Sequence, residues 1–180
     1  MNHQDHVKLL RIGILASGGV WADFGSGWGA FTLALADLIG PSGQIYSVEK
    51  DASALREQER AMRARFPQMI VHYLRADFTH PLDLPPLDGI VMANALHFHR
   101  RKDRIVTMLY NYLKPDGHLI LVEYNVDRGN PWVPYPLSYP TWKELARKNG
   151  FSETHLLHRY PSRFLGEIYS ALSVKIRDEG

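Results

Sequence analysis

Val20-Trp21-Ala22-Asp23-Phe24-Gly25-Ser26-Gly27-Trp28-Gly29-Ala30 opens the decisive stretch, which continues as FTLALADLIGPSGQIYSVEKD to Asp51. Val20 to Phe24 is short and apolar and stops at a glycine cluster, as a buried strand does before a tight turn. Ala30 to Ile39 then repeats apolar residues at Phe31, Leu35 and Leu38, the spacing of a helix face. Gly40-Pro41-Ser42-Gly43 breaks that helix, and Gln44 to Glu49 alternates like a second strand. A strand, a glycine turn, a helix and a strand in this order place free backbone N–H groups and little side-chain bulk where a ligand would sit.

The pattern repeats outward from this unit. Ala52 to Phe66 reads as a charged helix that buries Leu55, Met62 and Phe66, and Pro67 ends it. Met69 to Leu74 is the third strand, Pro81 to Pro86 a loop, and Gly89 to Ala93 the fourth strand. Arg104 to Leu113 carries a helical apolar stripe, after which Lys114-Pro115-Asp116-Gly117 is expected to turn into a fifth strand, His118 to Glu123. Repeated β-α units with short links argue for a parallel sheet covered on both faces. The end differs. A helix over Tyr139 to Asn149, closed by Gly150, precedes two strands, Phe151 to His158 and Leu165 to Ile176, with no helix between them. Linked by a loop around Pro161, they must pair as a hairpin, so one runs antiparallel. The fold class is therefore α/β: a doubly wound, seven-stranded, mostly parallel sheet ending in an antiparallel hairpin. The 180 residues form one domain, 1–180, in which 1–19 is a short N-terminal helical segment.

Composition narrows the function classes. Hydrophobic residues make up 45% of the chain and the formal net charge is only +2, which excludes a disordered chain and disfavours a dedicated nucleic-acid binder. There is no cysteine, so disulfides, thiolate metal sites and a cysteine nucleophile are all excluded. The longest uncharged stretch near the N-terminus, Ile12 to Ala22, has eleven residues, far short of the roughly 20 that a bilayer crossing needs. A soluble, cytoplasmic protein that does not engage membranes is the expectation.

The glycine loop has two readings. Gly25-x-Gly27-x-x-Ala30 satisfies the dinucleotide pattern, and Glu49, at the end of the second strand, suits ribose hydroxyls in either case. Three features separate the readings: the acid Asp23 two positions before the first glycine, the carboxylate of Arg75-Ala76-Asp77-Phe78 after the third strand, and the terminal hairpin. With these residues the sequence resembles the class I (Rossmann-like) S-adenosylmethionine-dependent methyltransferases over nearly its whole length. VWADFGSGWGAFTLALADLIGPSGQIYSVEKD is similar to their first two motifs, RADF to the adenine-contacting motif, and DGIVMANALHFHRRKDRIVTMLYNYLKPDGHLILVEYN to the fourth strand through the fifth. LSYPTWKELARKNGF is similar to the helix and glycine turn before their final hairpin.

The resemblance implies an enzyme that uses S-adenosyl-L-methionine and releases S-adenosyl-L-homocysteine. It implies that Asp23, Gly25, Ser26 and Gly27 hold the amino-acid end of the cofactor, that Glu49 binds the ribose and that Lys50 flanks the adenine. It further implies that Asp77 accepts from the adenine amino group, that the Phe78 N–H faces a ring nitrogen, and that Asn94, Ala95 and Leu96 line the sulfonium end. Asp77 as a plain turn residue is the competing reading.

A methyl sulfonium is already activated, so direct in-line displacement needs alignment and exclusion of water, and a general base only for some acceptors. His97 is the candidate base or orienting residue, against the competing reading of a histidine merely packed beside the cofactor. No metal site is expected, because His97-x-His99 lacks a third ligand at recognisable spacing. Asn94-Ala95-Leu96-His97 is not the Asn/Asp-Pro-Pro-aromatic motif of amino-directed DNA and glutamine methyltransferases. A small-molecule acceptor is the expectation. Protein or RNA as acceptor, and a non-catalytic cofactor-binding sensor or assembly module, are the alternatives. Trp132, Tyr135, Tyr139 and Trp142, set among prolines in the loop 130–142, are expected to roof an apolar acceptor or to form a homodimer contact, against the competing reading of a proline-stiffened loop packed on its own domain. The basic run Arg100, Arg101, Lys102 and Arg104 is either an anion-attracting edge or a solvated helix start.

Overall fold

The computed structural model describes residues 1–176, so residues 177–180 of the single expected domain lie outside the described residues. Its elements are α1 (His3–Arg11), β1 (Gly19–Phe24), α2 (Ala30–Ile39), β2 (Gly43–Glu49), α3 (Ala52–Arg65), β3 (Ile70–Arg75) and β4 (Leu87–Ala93). A 3₁₀ turn (Leu96–Phe98) follows, then α4 (Asp103–Tyr112), β5 (Leu113–Tyr124), α5 (Tyr139–Lys148), β6 (Phe151–Ser162) and β7 (Gly166–Lys175). The sheet order is β3-β2-β1-β4-β5-β7-β6. β1 to β5 run parallel, and β7 is antiparallel to both β5 and β6, as the hairpin reading requires.

Both faces of the sheet are buried, which explains why its central strands lack polar alternation. In β5, Leu119 and Leu121 point into the core shared with α4 and α5, while Ile120 and Val122 point into the one shared with α1 and α2. β1 divides in the same way, with Ala22 and Phe24 on one side and Trp21 on the other. Strand order reverses between β1 and β4, and ligands of open α/β sheets bind in the crevice at the carboxyl ends of the strands on either side of such a reversal.

Two boundaries differ from expectation. β5 starts at Leu113, because Lys114–Gly117 does not end one element and begin another but bulges out of the ladder. An advance from Leu87 to Gly89 on β4 matches one from Leu113 to His118 on β5, with Asp116 at φ 61° inside the excess. Lys114 Nζ reaches back across the bulge to Asp88 Oδ1 at 2.8 Å. Pro161 is not in the hairpin loop but inside β6, opposite Glu167. β6 is an edge strand, where a residue without an N–H is tolerated.

Candidate functional site

The glycine loop needs its glycines. Gly25, Gly27 and Gly29 have φ of 72°, 54° and 85°, a region that L side chains rarely adopt. A Cβ on Gly25 would stand 2.7 Å from that of Ala95, across the crevice between β1 and β4. The loop is held from below by a polar network. Gln58, buried on α3, donates to Ser26 Oγ at 2.7 Å and to the Gly27 carbonyl at 2.5 Å. Its Oε1 accepts from Ser47 Oγ at 2.8 Å, and Ser47 also reaches Ser26 Oγ. Nothing in the charged helix pattern marks Gln58, whose role depends on α3 lying over the loop.

Above the loop is a cavity of about 650 Å³ at the carboxyl ends of the strands. Its wall includes Gly25, Ser26, Gly27, Glu49, Lys50, Asp77, Phe78, Asn94 and Ala95, nine residues singled out from the sequence. Asp23 and Leu96 are not in that wall. Leu96 is fully buried in the core. Asp23 is buried beneath the loop and accepts from Thr32 Oγ1 at 2.7 Å. Burial pushes the Asp23 carboxyl up to about 7, against the pull of the Thr32 hydroxyl and with a further push from Glu49.

Glu49 spans the crevice floor, one oxygen accepting from the Gly27 N–H at 2.9 Å and the other from the Asp51 N–H at 3.0 Å. Asp77 Oδ1 closes a turn by accepting from the Thr79 N–H and hydroxyl, and these bonds hold its carboxyl below the usual range. Asn94 sits in the left-handed region at φ 51°, and its buried Oδ1 has no hydrogen-bond partner.

The short N-terminal helix α1 forms one side of the site. Met1 and His6 join the cavity wall, with the His6 ring 4.8 Å from that of Phe31. An amphipathic helix has to bury its apolar stripe somewhere, and here α1 docks on α2 through Val7, Leu9 and Leu10. Trp28, in the glycine loop, lines the cavity while staying 65% exposed.

His97 lies beside this cavity rather than in its wall; its neighbours Phe98 and His99 are in the wall. The His97 ring is buried, with Nδ1 at 2.8 and 3.1 Å from the two oxygens of Glu123. Glu123, wholly buried, also accepts from the N–H groups of His97 and Tyr124. Only a proton on Nδ1 makes this contact a hydrogen bond to a carboxylate, so Nε2 on the far side of the ring is left for another partner. The pair forms because β4 and β5 are adjacent and parallel, which brings the residues just past one strand to the end of the other.

The aromatic loop splits in two. Trp142 is fully buried in the core and Tyr139 packs on Tyr169 at 5.9 Å, so neither roofs a ligand. Trp132 and Tyr135 remain 71% and 42% exposed.

A doubly wound sheet with a terminal hairpin, a glycine loop at the strand-order reversal, and acids at the ends of β2 and β3 are the architecture of the class I S-adenosylmethionine-dependent methyltransferase fold. Comparison with known proteins agrees. A family model described as a methyltransferase domain matches residues 22–119, and the chain belongs to that family, whose methyl-donating cofactor is S-adenosylmethionine. It is similar to the demethylmenaquinone methyltransferase of Lactobacillus johnsonii, with 25% identity over 142 residues that cover 76% of this chain and 58% of that protein. It is also similar to the ubiquinone/menaquinone biosynthesis C-methyltransferase of Pasteurella multocida, with 28% identity over 57% of this chain and 39% of that one. The chain thus spans less than two thirds of the length of these relatives. Among solved structures, a SAM dependent methyltransferase from Aquifex aeolicus superposes with a TM-score of 0.74 at 18% identity, covering 96% of this chain and 90% of that one. The 1,6-didemethyltoxoflavin-N1-methyltransferase of Burkholderia thailandensis, solved with S-adenosylhomocysteine, gives 0.76 at 15% identity over 97% and 78% of the two chains. Likeness at this identity speaks to the fold alone.

Proposed function

We propose that the protein transfers a methyl group from S-adenosylmethionine to a small-molecule acceptor by direct in-line displacement. The observation that carries this reading is the convergence of nine expected cofactor residues on one cavity of about 650 Å³. The residues suit the cofactor: Glu49 offers carboxylate oxygens to ribose hydroxyls, and Asp77 keeps Oδ2, 3.8 Å from the His80 ring, outside its turn and toward an adenine amino group. Gly25 and Gly27 let the backbone approach it, with Lys50, Phe78 and Ala95 alongside. When bound, the cofactor supplies a methyl group on a sulfonium, already activated for displacement.

This chain's part is to hold the acceptor in line, keep out water and accept a proton where the acceptor has one to lose. Glu123 sets the His97 tautomer, so that Nε2 is the group able to take such a proton. Two similar proteins whose names specify quinones, the demethylmenaquinone and ubiquinone/menaquinone methyltransferases, support the acceptor class. Among the described residues no helix is long and apolar enough to cross a membrane. Labelled methyl groups followed from S-adenosylmethionine into size-fractionated cell extract test the proposal. Label in the small-molecule fraction is expected, and label confined to protein or RNA would overturn the acceptor class.

A further inference from the structure

Aromatic side chains from four separate segments gather around His97. Phe98, from the 3₁₀ turn, lies 4.3 Å from the His97 ring and is also in the cofactor cavity wall. Tyr124, at the end of β5, lies 6.0 Å from His97 and 5.8 Å from Phe164, at the turn between β6 and β7. Phe164 in turn meets Trp132 of the β5–α5 loop at 6.4 Å. In the same loop, the Tyr135 N–H donates to the His97 carbonyl at 2.9 Å. Phe98, Trp132, Tyr135 and Phe164 are each between 42% and 71% exposed. One exposed aromatic is ordinary, but a chain of rings that begins at the cofactor cavity and passes over a carboxylate-oriented histidine is not.

We propose that this aromatic track is the acceptor site, and that it takes a flat aromatic ring bearing an ionisable hydroxyl, whose proton passes to His97 Nε2. The inference rests on the methyltransferase reading and adds the acceptor's chemistry to it. Flat rings gain from stacked or edge-on contact with aromatic side chains, whereas saturated chains of equal area gain only burial. The proton balance is simple. The hydroxyl loses a proton to Nε2, leaving an oxyanion on the ring, and the imidazolium formed is neutralised by Glu123 across the 2.8 Å contact. Lys102, whose ammonium lies 5.8 Å over the Tyr135 ring and bonds the His99 carbonyl, supplies positive charge at the same edge. Burial lowers the affinity of both Lys102 and His99 for protons. The Tyr124 and Tyr135 hydroxyls also face this edge, and burial raises that of Tyr124.

The test uses para-nitrophenol, whose absorbance reports ionisation, and para-nitroanisole, which has the same ring and no proton to lose. Both are titrated into the protein, with and without saturating S-adenosylhomocysteine, alongside cyclohexanol. The protein is expected to bind para-nitrophenol about tenfold or more tighter than para-nitroanisole, and both more tightly than cyclohexanol. Bound para-nitrophenol is expected to show the phenolate band at a pH where the free probe does not. His97→Asn should remove that band and the preference for para-nitrophenol over para-nitroanisole, and Trp132→Ala should weaken both ring probes. Equal affinity for all three probes, no phenolate band, or sedimentation showing a dimer that Trp132→Ala dissociates would each overturn the proposal. Separate calorimetry with S-adenosylhomocysteine tells the two failures apart: its absence refutes the cofactor reading, and its presence without ring binding refutes only this one.

Discussion

The two halves of the crevice are built differently. On the β1–β3 side, the cofactor half, backbone conformation and short-range hydrogen bonds do the shaping: three glycines with positive φ, the Glu49 carboxylate on a loop N–H, and a buried polar network centred on Gln58. On the β4–β7 side, the acceptor half, the site is assembled from segments far apart in the chain, with aromatic rings from four of them arranged around the His97–Glu123 pair. The first half tolerates almost no change, because its parts are bonded to one another. The second depends on which rings stand in the open, and is where a family with one cofactor can change its acceptor.

The sharpest way to break the comparison is His97→Asn. Methyl transfer is expected to fall by about 10²–10⁴-fold, the ordinary worth of a positioned base. Affinity for S-adenosylhomocysteine should not change, since His97 is outside the cavity wall. Next is the pH dependence set by Asp23. With its folded value at about 7 and an unfolded one of 3.8, the folded state keeps a proton that the unfolded chain has released between those limits. This group therefore removes stability as pH rises from about 4 to about 7, by up to about 4 kcal/mol, and removes no more above that range. Urea unfolding of Asp23→Asn should show a flatter pH profile through that window.

Gly25→Val is smaller in effect but still severe. The new Cβ would press on Ala95 at a φ that valine avoids, and cofactor affinity should drop about 100-fold, or roughly 3 kcal/mol. Gln58→Leu removes the amide that bonds Ser26, Ser47 and the Gly27 carbonyl, leaving the two buried hydroxyls to each other. It should lower stability by about 1–3 kcal/mol in chemical denaturation, with a loss of cofactor affinity that follows the loosened loop.

How much of this was legible in the sequence divides along the same line. The cofactor half is written locally. A glycine turn, an acid at the end of β2 and another after β3 each follow from a strand boundary, and the family resemblance that these local motifs carry points to nine of the wall residues. Asp23 was legible as an acid but not as one buried under the loop, since its partner Thr32 is met only once α2 folds back on β1. Gln58 sits in a helix whose pattern reports only which face is buried. In the acceptor half, His97 and Glu123 are 26 positions apart and meet because β4 and β5 pair; parallel neighbours at that register are the signal by which the pair is found. The aromatic loop was noticed as a whole, but spacing does not tell Trp142, which the core absorbs, from Trp132, which it leaves outside.

The central claim is that the crevice at the reversal between β1 and β4 binds S-adenosylmethionine through the glycine loop and Glu49. Calorimetric titration of S-adenosylhomocysteine into the wild-type protein and Glu49→Ala addresses it directly. One site per chain is expected, weakened in the variant by about 1–3 kcal/mol through the lost charge-assisted hydrogen bonds. No heat with S-adenosylhomocysteine, together with tight binding of NAD, would contradict the account.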